Sequence, residues 1–207
     1  MRIYAGKTAD ERRDERRCRL VAAGRRLFGE FGYHGTSMRA VLREARLPDR
    51  YFAENFKGME DLLAAVLHDI SVEVFVRISE CFDVSVPPAE QVRHLFGNLV
   101  RTLEEDPGAA RIKFVEVTGV SPYIDRLRLA ALKPYVEATY ARLPEPPPDS
   151  KMDRMIFAQA YVSGVNGMLV DWANGTLPLT GEQLTEQATL LFEALEARLI
   201  GNPTPFL

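Results

Sequence analysis

The sequence predicts an all-α protein: a three-helix N-terminal domain with a helix-turn-helix, residues 1–57, followed by a helical second domain, residues 58–207, about nine helices in all. Three observations carry this. Apolar residues recur at spacings of three and four along nearly the whole chain, the period of one helix face. No stretch alternates with the period of two that a half-buried strand requires. Gly, Pro and Asp clusters punctuate the periodic segments where helices should stop.

The first ten to fifteen residues are polar and mixed in charge and read as a flexible arm. A first helix is expected from about Glu11, with Leu20, Ala23, Leu27 and Phe31 on its inner face and Gly32 as its stop. Phe28, Phe31, Phe52 and Phe56 are expected in the core. Thr36 and Ser37 can cap a second helix whose apolar face is Met38, Val41, Leu42 and Ala45. Pro48 keeps Leu47 out of the helical region, so the chain turns there. A third short helix then spans about 49–55, with the Asp49 carboxylate at its favoured N-terminal end.

Beyond Lys57-Gly58 the helices lengthen. Leu62 to Phe82 marks one, ended by Val86-Pro87-Pro88; Val92 to Leu103 marks the next, ended by Asp106-Pro107-Gly108. A short segment from Ala109 to Val117 leads to one helix from Pro122 to about Leu143. Pro144-Glu145-Pro146-Pro147-Pro148-Asp149 reads as a semi-rigid connector of polyproline character. Two helices remain, about 151–174 and 180–200, separated by Asn174-Gly175-Thr176-Leu177-Pro178.

Composition narrows the function. With 207 residues, 46% of them apolar and 27% charged, the chain can bury a core without disulfides or metals. The two cysteines, Cys18 and Cys81, make neither a zinc set nor a disulfide framework. No signal-peptide core and no membrane-length apolar run occurs, so a cytoplasmic location is expected. The net charge of −3 conceals an asymmetry: residues 1–57 hold 14 Lys and Arg against 8 Asp and Glu, a net of +6, and the remainder is −9. A basic quarter on an acidic body suits a polyanion at one end only.

Enzymatic signatures are missing. His34, His68 and His94 are scattered, and no zinc-protease, phosphate-loop or nucleophile-elbow pattern is present. Neither cofactor nor metal is expected. Two short helices joined by a tight turn instead fit a helix-turn-helix, in which the second helix enters the major groove and the first braces it; a helical hairpin within an all-α core has the same spacing.

The stretches Leu27-Phe28-Gly29-Glu30-Phe31-Gly32-Tyr33-His34-Gly35-Thr36-Ser37, Ala45 to Phe56 and Glu60-Asp61-Leu62-Leu63 resemble the DNA-binding domain of the TetR family of transcriptional regulators. Asp171-Trp172-Ala173-Asn174-Gly175 is similar to a late-helix element of that family. The resemblance implies a homodimeric, ligand-responsive regulator, most often a repressor, that binds double-stranded operator DNA and is released by a small apolar ligand. By position it assigns Ser37, Arg39 and Lys57 to backbone phosphates, and Asp49, Arg50, Tyr51 and Asn55 to the groove. Arg50 can donate twice to guanine and Asn55 can pair with adenine. Four positions depart from the family pattern: Arg46 replaces a turn glycine, Pro48 a Ser or Thr cap, Ala53 a tyrosine and Met59 a lysine. A second reading follows from them, a dimer of the same fold with weakened DNA contacts that acts mainly on a ligand or protein partner.

The ligand candidates are the apolar and polar side chains of the second-domain helices: Val66, Phe75, Phe96, Leu99, Phe114, Tyr123, Tyr161, Asn166 and Trp172. A packed core is the competing reading of the same stripes. The last two helices carry the expected dimer face. Met152, Met155, Ile156, Gln159, Val162, Asn166, Leu169 and Val170 lie on one helix, with Ser163, Gly164 and Gly167 as small residues. Leu184, Ala188, Leu191, Leu195 and Leu199 lie on the other.

Overall fold

A computed structural model describes residues 8–79 and 85–201. Within them the chain is all-helical, with ten α-helices and one π-helical turn. Cys81 and Phe82 lie outside the described residues. The helices group into two compact units, one of residues 8–72 with 107–128, the other of 73–106 with 129–201.

The first unit begins earlier than the sequence reading expects. Helix α1 spans Ala9–Phe31, because Thr8 and Glu11 form a capping box. The Thr8 hydroxyl accepts from the Glu11 N–H at 3.1 Å, and the Thr8 N–H donates to the Glu11 carboxylate. The expected arm is thus helical from Ala9 onward. Leu20, Val21, Ala23, Leu27 and Phe28 are buried, but Phe31 is 54% exposed and is not a core residue. It is the last residue of the helix, and Phe28 takes the inner place one turn earlier, against the Tyr33 ring at 5.6 Å. Gly32 stops the helix at φ +78°, a conformation that glycine adopts without strain.

Helix α2 (Met38–Ala45) is capped by Ser37, whose hydroxyl accepts from the Ala40 N–H at 3.2 Å. Val41, Leu42 and Ala45 are buried; Met38, in the first turn, is exposed. Arg46 then takes the left-handed conformation, φ 52° and ψ 48°, so a residue with a Cβ occupies a glycine-type turn. Helix α3 is shorter than 49–55, spanning Arg50–Ala53 and continued by a turn in which the Phe56 N–H donates to the Phe52 carbonyl at 2.8 Å. Asp49 itself has helical dihedrals and makes no cap hydrogen bond, so its carboxylate stays exposed.

Helix α4 (Met59–Ser79) supplies Leu62, Leu63, Val66, Leu67 and Ile70 to the first core and Val74 and Ile78 to the second. The first unit is completed by α6 (Pro107–Arg111), the π-helical turn Ile112–Glu116 and most of α7 (Pro122–Ala130).

The second unit contains α5 (Pro88–Glu105), α8 (Lys133–Arg142), α9 (Arg154–Ala173) and α10 (Gly181–Leu199). The single helix expected from Pro122 to Leu143 is two. Pro134 supplies no N–H and its ring displaces the carbonyl four residues earlier, so it starts α8 instead of continuing α7. This division accounts for ten helices in place of nine. Helix α10 packs along α5 at Gly181, where an added Cβ would meet Val100 Cγ1 at 2.6 Å. The α9–α10 connection is closed by Trp172, whose indole N–H donates to the Leu179 carbonyl at 3.0 Å.

Candidate nucleic-acid interface

The first helix carries half of the basic residues of 1–57, and most of these turn inward. Arg13 Nη2 donates to the Glu54 carbonyl at 3.0 Å and Arg17 Nη1 to the Asn55 carbonyl at 3.2 Å. These guanidinium groups complete the exposed C-terminal carbonyls of the α3 turn, where cations are favoured. Arg16 lies over the Tyr51 ring at 4.5 Å and pairs with Glu54 at 3.7 Å; Arg17 lies over Phe56 at 4.5 Å. Arg19 donates to the carbonyls of Ala45 and Arg46, clamping the strained turn between α2 and α3. Arg26 grips Glu44 of α2 through Nε at 2.7 Å and Nη2 at 2.8 Å. That pair holds the Glu44 carboxyl below its ordinary range. The result is a rigid mount for two short helices that could not stand alone.

What remains on the outer side of the mount is basic. Arg39, Arg43, Arg46, Arg50 and Lys57 are all exposed, and none has an ion pair among the described residues. Arg50 is pre-oriented: its Nη2 donates to the Tyr51 hydroxyl at 2.9 Å and its guanidinium lies 4.8 Å from the Tyr51 ring centre. Tyr51 is half-buried between Arg16 and Arg50, so it packs and presents its edge at once. Ser37 is exposed at the start of α2, its oxygen accepting from Ala40 while its proton is free to donate. Asn55 is half-buried at the end of the α3 turn. Its Nδ2 donates to the Tyr51 carbonyl at 2.7 Å, and its buried Oδ1 has no hydrogen-bond partner. Ala53 is exposed, and Met59 is half-buried at the start of α4.

The far end of α1 is tied to the 107–128 segment of the same unit. Arg111 Nη1 donates to the Glu30 carbonyl at 3.1 Å, and its Nε pairs with Glu116 at 2.8 Å. The other Glu116 oxygen accepts the Tyr33 N–H at 2.7 Å. Spacing in the sequence does not reveal this network, since Arg111 and Tyr33 are 78 positions apart.

The nine ligand candidates divide between the units. Val66, Phe114 and Tyr123 belong to the first; Phe75, Phe96, Leu99, Tyr161, Asn166 and Trp172 belong to the second. Val66, Phe96, Leu99, Phe114 and Tyr161 are buried, Asn166 and Trp172 half-buried, Phe75 and Tyr123 exposed. Tyr161 and Trp172 also have structural work: the Tyr161 hydroxyl donates to the Ala188 carbonyl at 3.1 Å, and burial pushes its phenol up. A groove of about 630 Å³ in the second unit runs along α5 and the start of α10, beside Arg93, His94, Asn98, Arg101 and Thr185, and none of the nine lines it. Sequence reasoning passed over two groups. The Tyr135 hydroxyl is buried with no hydrogen-bond partner among the described residues, its ring edge-on to Phe75 at 5.8 Å, and burial pushes its phenol up to about 12. Lys113 is a buried lysine on the π-helical turn.

On α9 and α10 the residues of the expected dimer face divide between the protomer core and the open surface. Val162, Leu169, Leu184, Ala188 and Leu199 are buried inside the protomer. Met155, Ile156 (63% exposed), Leu190 and Leu191 are open, together with Ser163, Gly164 and Gly167.

Residues 20–66 match the model of bacterial regulatory proteins, tetR family. The HTH-type transcriptional repressor DhaR of Mycobacterium sp. (strain GP1) is 29% identical over 86 residues, which is 41% of this chain and 43% of that protein. The alignment therefore spans less than half the length of this curated relative. Among solved structures, the regulator FadR from Bacillus subtilis in complex with stearoyl-CoA is 15% identical, with TM-score 0.68 over 90% of this chain and 99% of that one. A TetR/AcrR-family transcriptional regulator from Thermobifida fusca is 22% identical, with TM-score 0.61 over 86% of this chain and 96% of that one. Residues 20–66 are thus similar to the tetR-family DNA-binding segment, and about nine-tenths of the chain shares the fold of these solved regulators.

Proposed function

We propose that this chain is a homodimeric transcriptional repressor that binds operator DNA through α2 and α3 and is released from it by a small ligand. The observation that carries the reading is the separation of charge within one domain. Five α1 arginines are taken up in bracing α2, α3 and the turn between them, while Arg39, Arg43, Arg46, Arg50 and Lys57 stay outward with no ion pair among the described residues. Exposed cations at a rigid helix pair reward phosphate contact by counterion release. Residues 1–57 serve DNA, and residues 58–207 serve ligand binding and dimerisation.

Arg50 reads a base edge, and Ser37, Arg39 and Lys57 grip phosphates. Asp49 and Tyr51 flank the reading position. Asn55 positions the recognition turn through the Tyr51 carbonyl. The partner subunit docks on the open α9–α10 face, where Ile156, Leu190 and Leu191 sit beside Ser163, Gly164 and Gly167 and helices can approach closely. Dimerisation doubles the contact area that one short recognition helix lacks, and sets the two helices about 34–36 Å apart. FadR of the similar structure holds stearoyl-CoA, and the unpartnered Tyr135 hydroxyl beside Phe75 supports a ligand role for the second unit here. A ligand releases DNA only by preferring a conformation in which those two helices are misplaced.

Selection of bound DNA from a random pool identifies the operator, and variants then test the contacts. Arg50→Ala should cost about 1–3 kcal/mol of discrimination at one guanine position, whereas Lys57→Ala should weaken all sequences alike and flatten the salt dependence. Operator preference that survives Arg50→Ala in a competition assay removes the groove assignment.

A further inference from the structure

Lys113 is 8% exposed, on the π-helical turn Ile112–Glu116 of the first unit. Its Nζ donates to the Ser71 hydroxyl of α4 at 3.0 Å, its one hydrogen bond among the described residues. No carboxylate pairs with it there. The acid on its own turn, Glu116, is already engaged by Arg111 and the Tyr33 N–H. Its surroundings are apolar: Ile112 and Phe114 are buried beside it, and Leu67 and Ile70 are buried beside Ser71. The Phe114 ring centre lies 5.9 Å from Nζ. A buried ammonium with one hydroxyl and one aromatic ring as its partners lacks a countercharge, and structural buried charges are normally paired. Among the described residues, two of its three N–H donors have no acceptor, and the Ser71 proton has none either. The π-helical turn adds weight, because such turns collect at functional sites.

We propose that Lys113 and Ser71 bind the carboxylate of an amphipathic organic acid, and that this acid is the regulatory ligand. The ammonium donates to one carboxylate oxygen and the Ser71 hydroxyl to the other, while the apolar body lies against the apolar surface around them. One lysine and one hydroxyl suit a single negative charge. A phosphate dianion calls for more cations than this site holds. Burial holds the amine down to about 8, and an arriving carboxylate would return it to full charge. The proposal rests on the ligand-responsive reading above; it changes the ligand from purely apolar to acidic and its seat from the second unit to the first.

The test uses the full-length protein without DNA. Binding is measured by equilibrium dialysis for straight-chain carboxylates from acetate to palmitate, for the primary alcohols of matching length, and for inorganic phosphate. At least one carboxylate should bind roughly tenfold or more tightly than its alcohol, as an added charge-assisted hydrogen bond implies. Lys113→Met should erase that preference, lowering carboxylate binding far more than alcohol binding. Ser71→Ala, which removes only a hydroxyl, should lower carboxylate binding about threefold or more and stands in if the lysine variant does not fold. The proposal is overturned if no carboxylate binds, if acid and alcohol bind equally, if phosphate alone binds, or if both variants keep the preference. Operator release is scored separately. A carboxylate that binds through Lys113 without releasing DNA refutes the regulatory reading and leaves the site, whereas release by alcohols alone refutes the site and leaves the regulation.

Discussion

Replacing Lys113 by Met should make the protein more stable at neutral pH, against the usual result of altering a buried residue. The ordinary lysine value of 10.5 falls to about 8 on burial. That gap corresponds to about 3 kcal/mol spent on keeping a charged amine in the folded protein. Methionine has similar length and flexibility and fills the space without charge. The loss is the hydrogen bond to Ser71, about 1 kcal/mol with its half-buried partner left to water. The net gain is about 1–2 kcal/mol at pH 7, a rise of a few degrees in midpoint temperature for a chain of this size.

The sign of the pH dependence separates this account from simple repacking. Because the folded value lies below the unfolded one, the unfolded chain holds the proton between pH 8 and 10.5 when the folded chain has released it. Wild-type stability therefore gains from Lys113 as pH rises through that window, and the full penalty stands below pH 8. By pH 10 less than about 1 kcal/mol of it remains, so the advantage of Lys113→Met should vanish. Urea unfolding of both proteins at equal concentration, at pH 7 and at pH 10, makes the comparison, since other titrating groups cancel between them. A Met variant less stable at pH 7, or an advantage equal at both pH values, refutes the reasoning.

Arg46→Gly should raise the midpoint of thermal unfolding, by about 0.5–1 kcal/mol in stability, because a left-handed residue with a Cβ is strained, while operator affinity falls with the exposed cation. A lower midpoint would mean that the Arg19 clamp needs the arginine backbone geometry as it stands. Leu191→Glu should turn the dimer into monomers or aggregates in sedimentation by placing an unpaired charge on the open α10 face, and an unchanged dimer would move the interface elsewhere. Glu116→Ala should remove two charge-assisted hydrogen bonds, costing about 2–3 kcal/mol, and accelerate exchange of the Tyr33 amide hydrogen; unaltered exchange would mean that Glu116 does not hold that turn.

What the sequence made legible was local. Ser37 as a cap, Gly32 as a stop, and Phe52 and Phe56 as core follow from propensity and spacing, and each stands in the structure. The capping box at Thr8 and Glu11 was equally local, but the charged composition around it masked the signal. Pro134 was read through because the apolar period continues across it, although proline at a second helical position marks a start. The α1 arginines read as a polyanion-facing surface because a sequence counts charge without showing its partner. Five of them turn inward onto Glu54, Asn55, Ala45, Arg46, Tyr51 and Glu44. Lys113 was invisible for a related reason. Lysine is almost always exposed, so only coordinates single out a buried one.

The π-helical turn joins these findings into one physical chain inside the first unit. Lys113 and Glu116 share five residues of backbone, so one cannot shift far without the other. Glu116 holds the Tyr33 N–H just past the end of α1, and Arg111 on the same segment holds the Glu30 carbonyl. Between Tyr33 and α2 lie only His34, Gly35 and Thr36 before the Ser37 cap, and the Thr36 hydroxyl donates to the Gly32 carbonyl at 2.8 Å. A charge arriving at Lys113 is thus a few bonded and hydrogen-bonded links from the helix that carries Arg39 and Arg43. Such a chain transmits nothing unless it has two arrangements of similar energy. Lys113, buried on that π-helical turn and held at about 8 by its surroundings, is where an arriving carboxylate would add the missing countercharge.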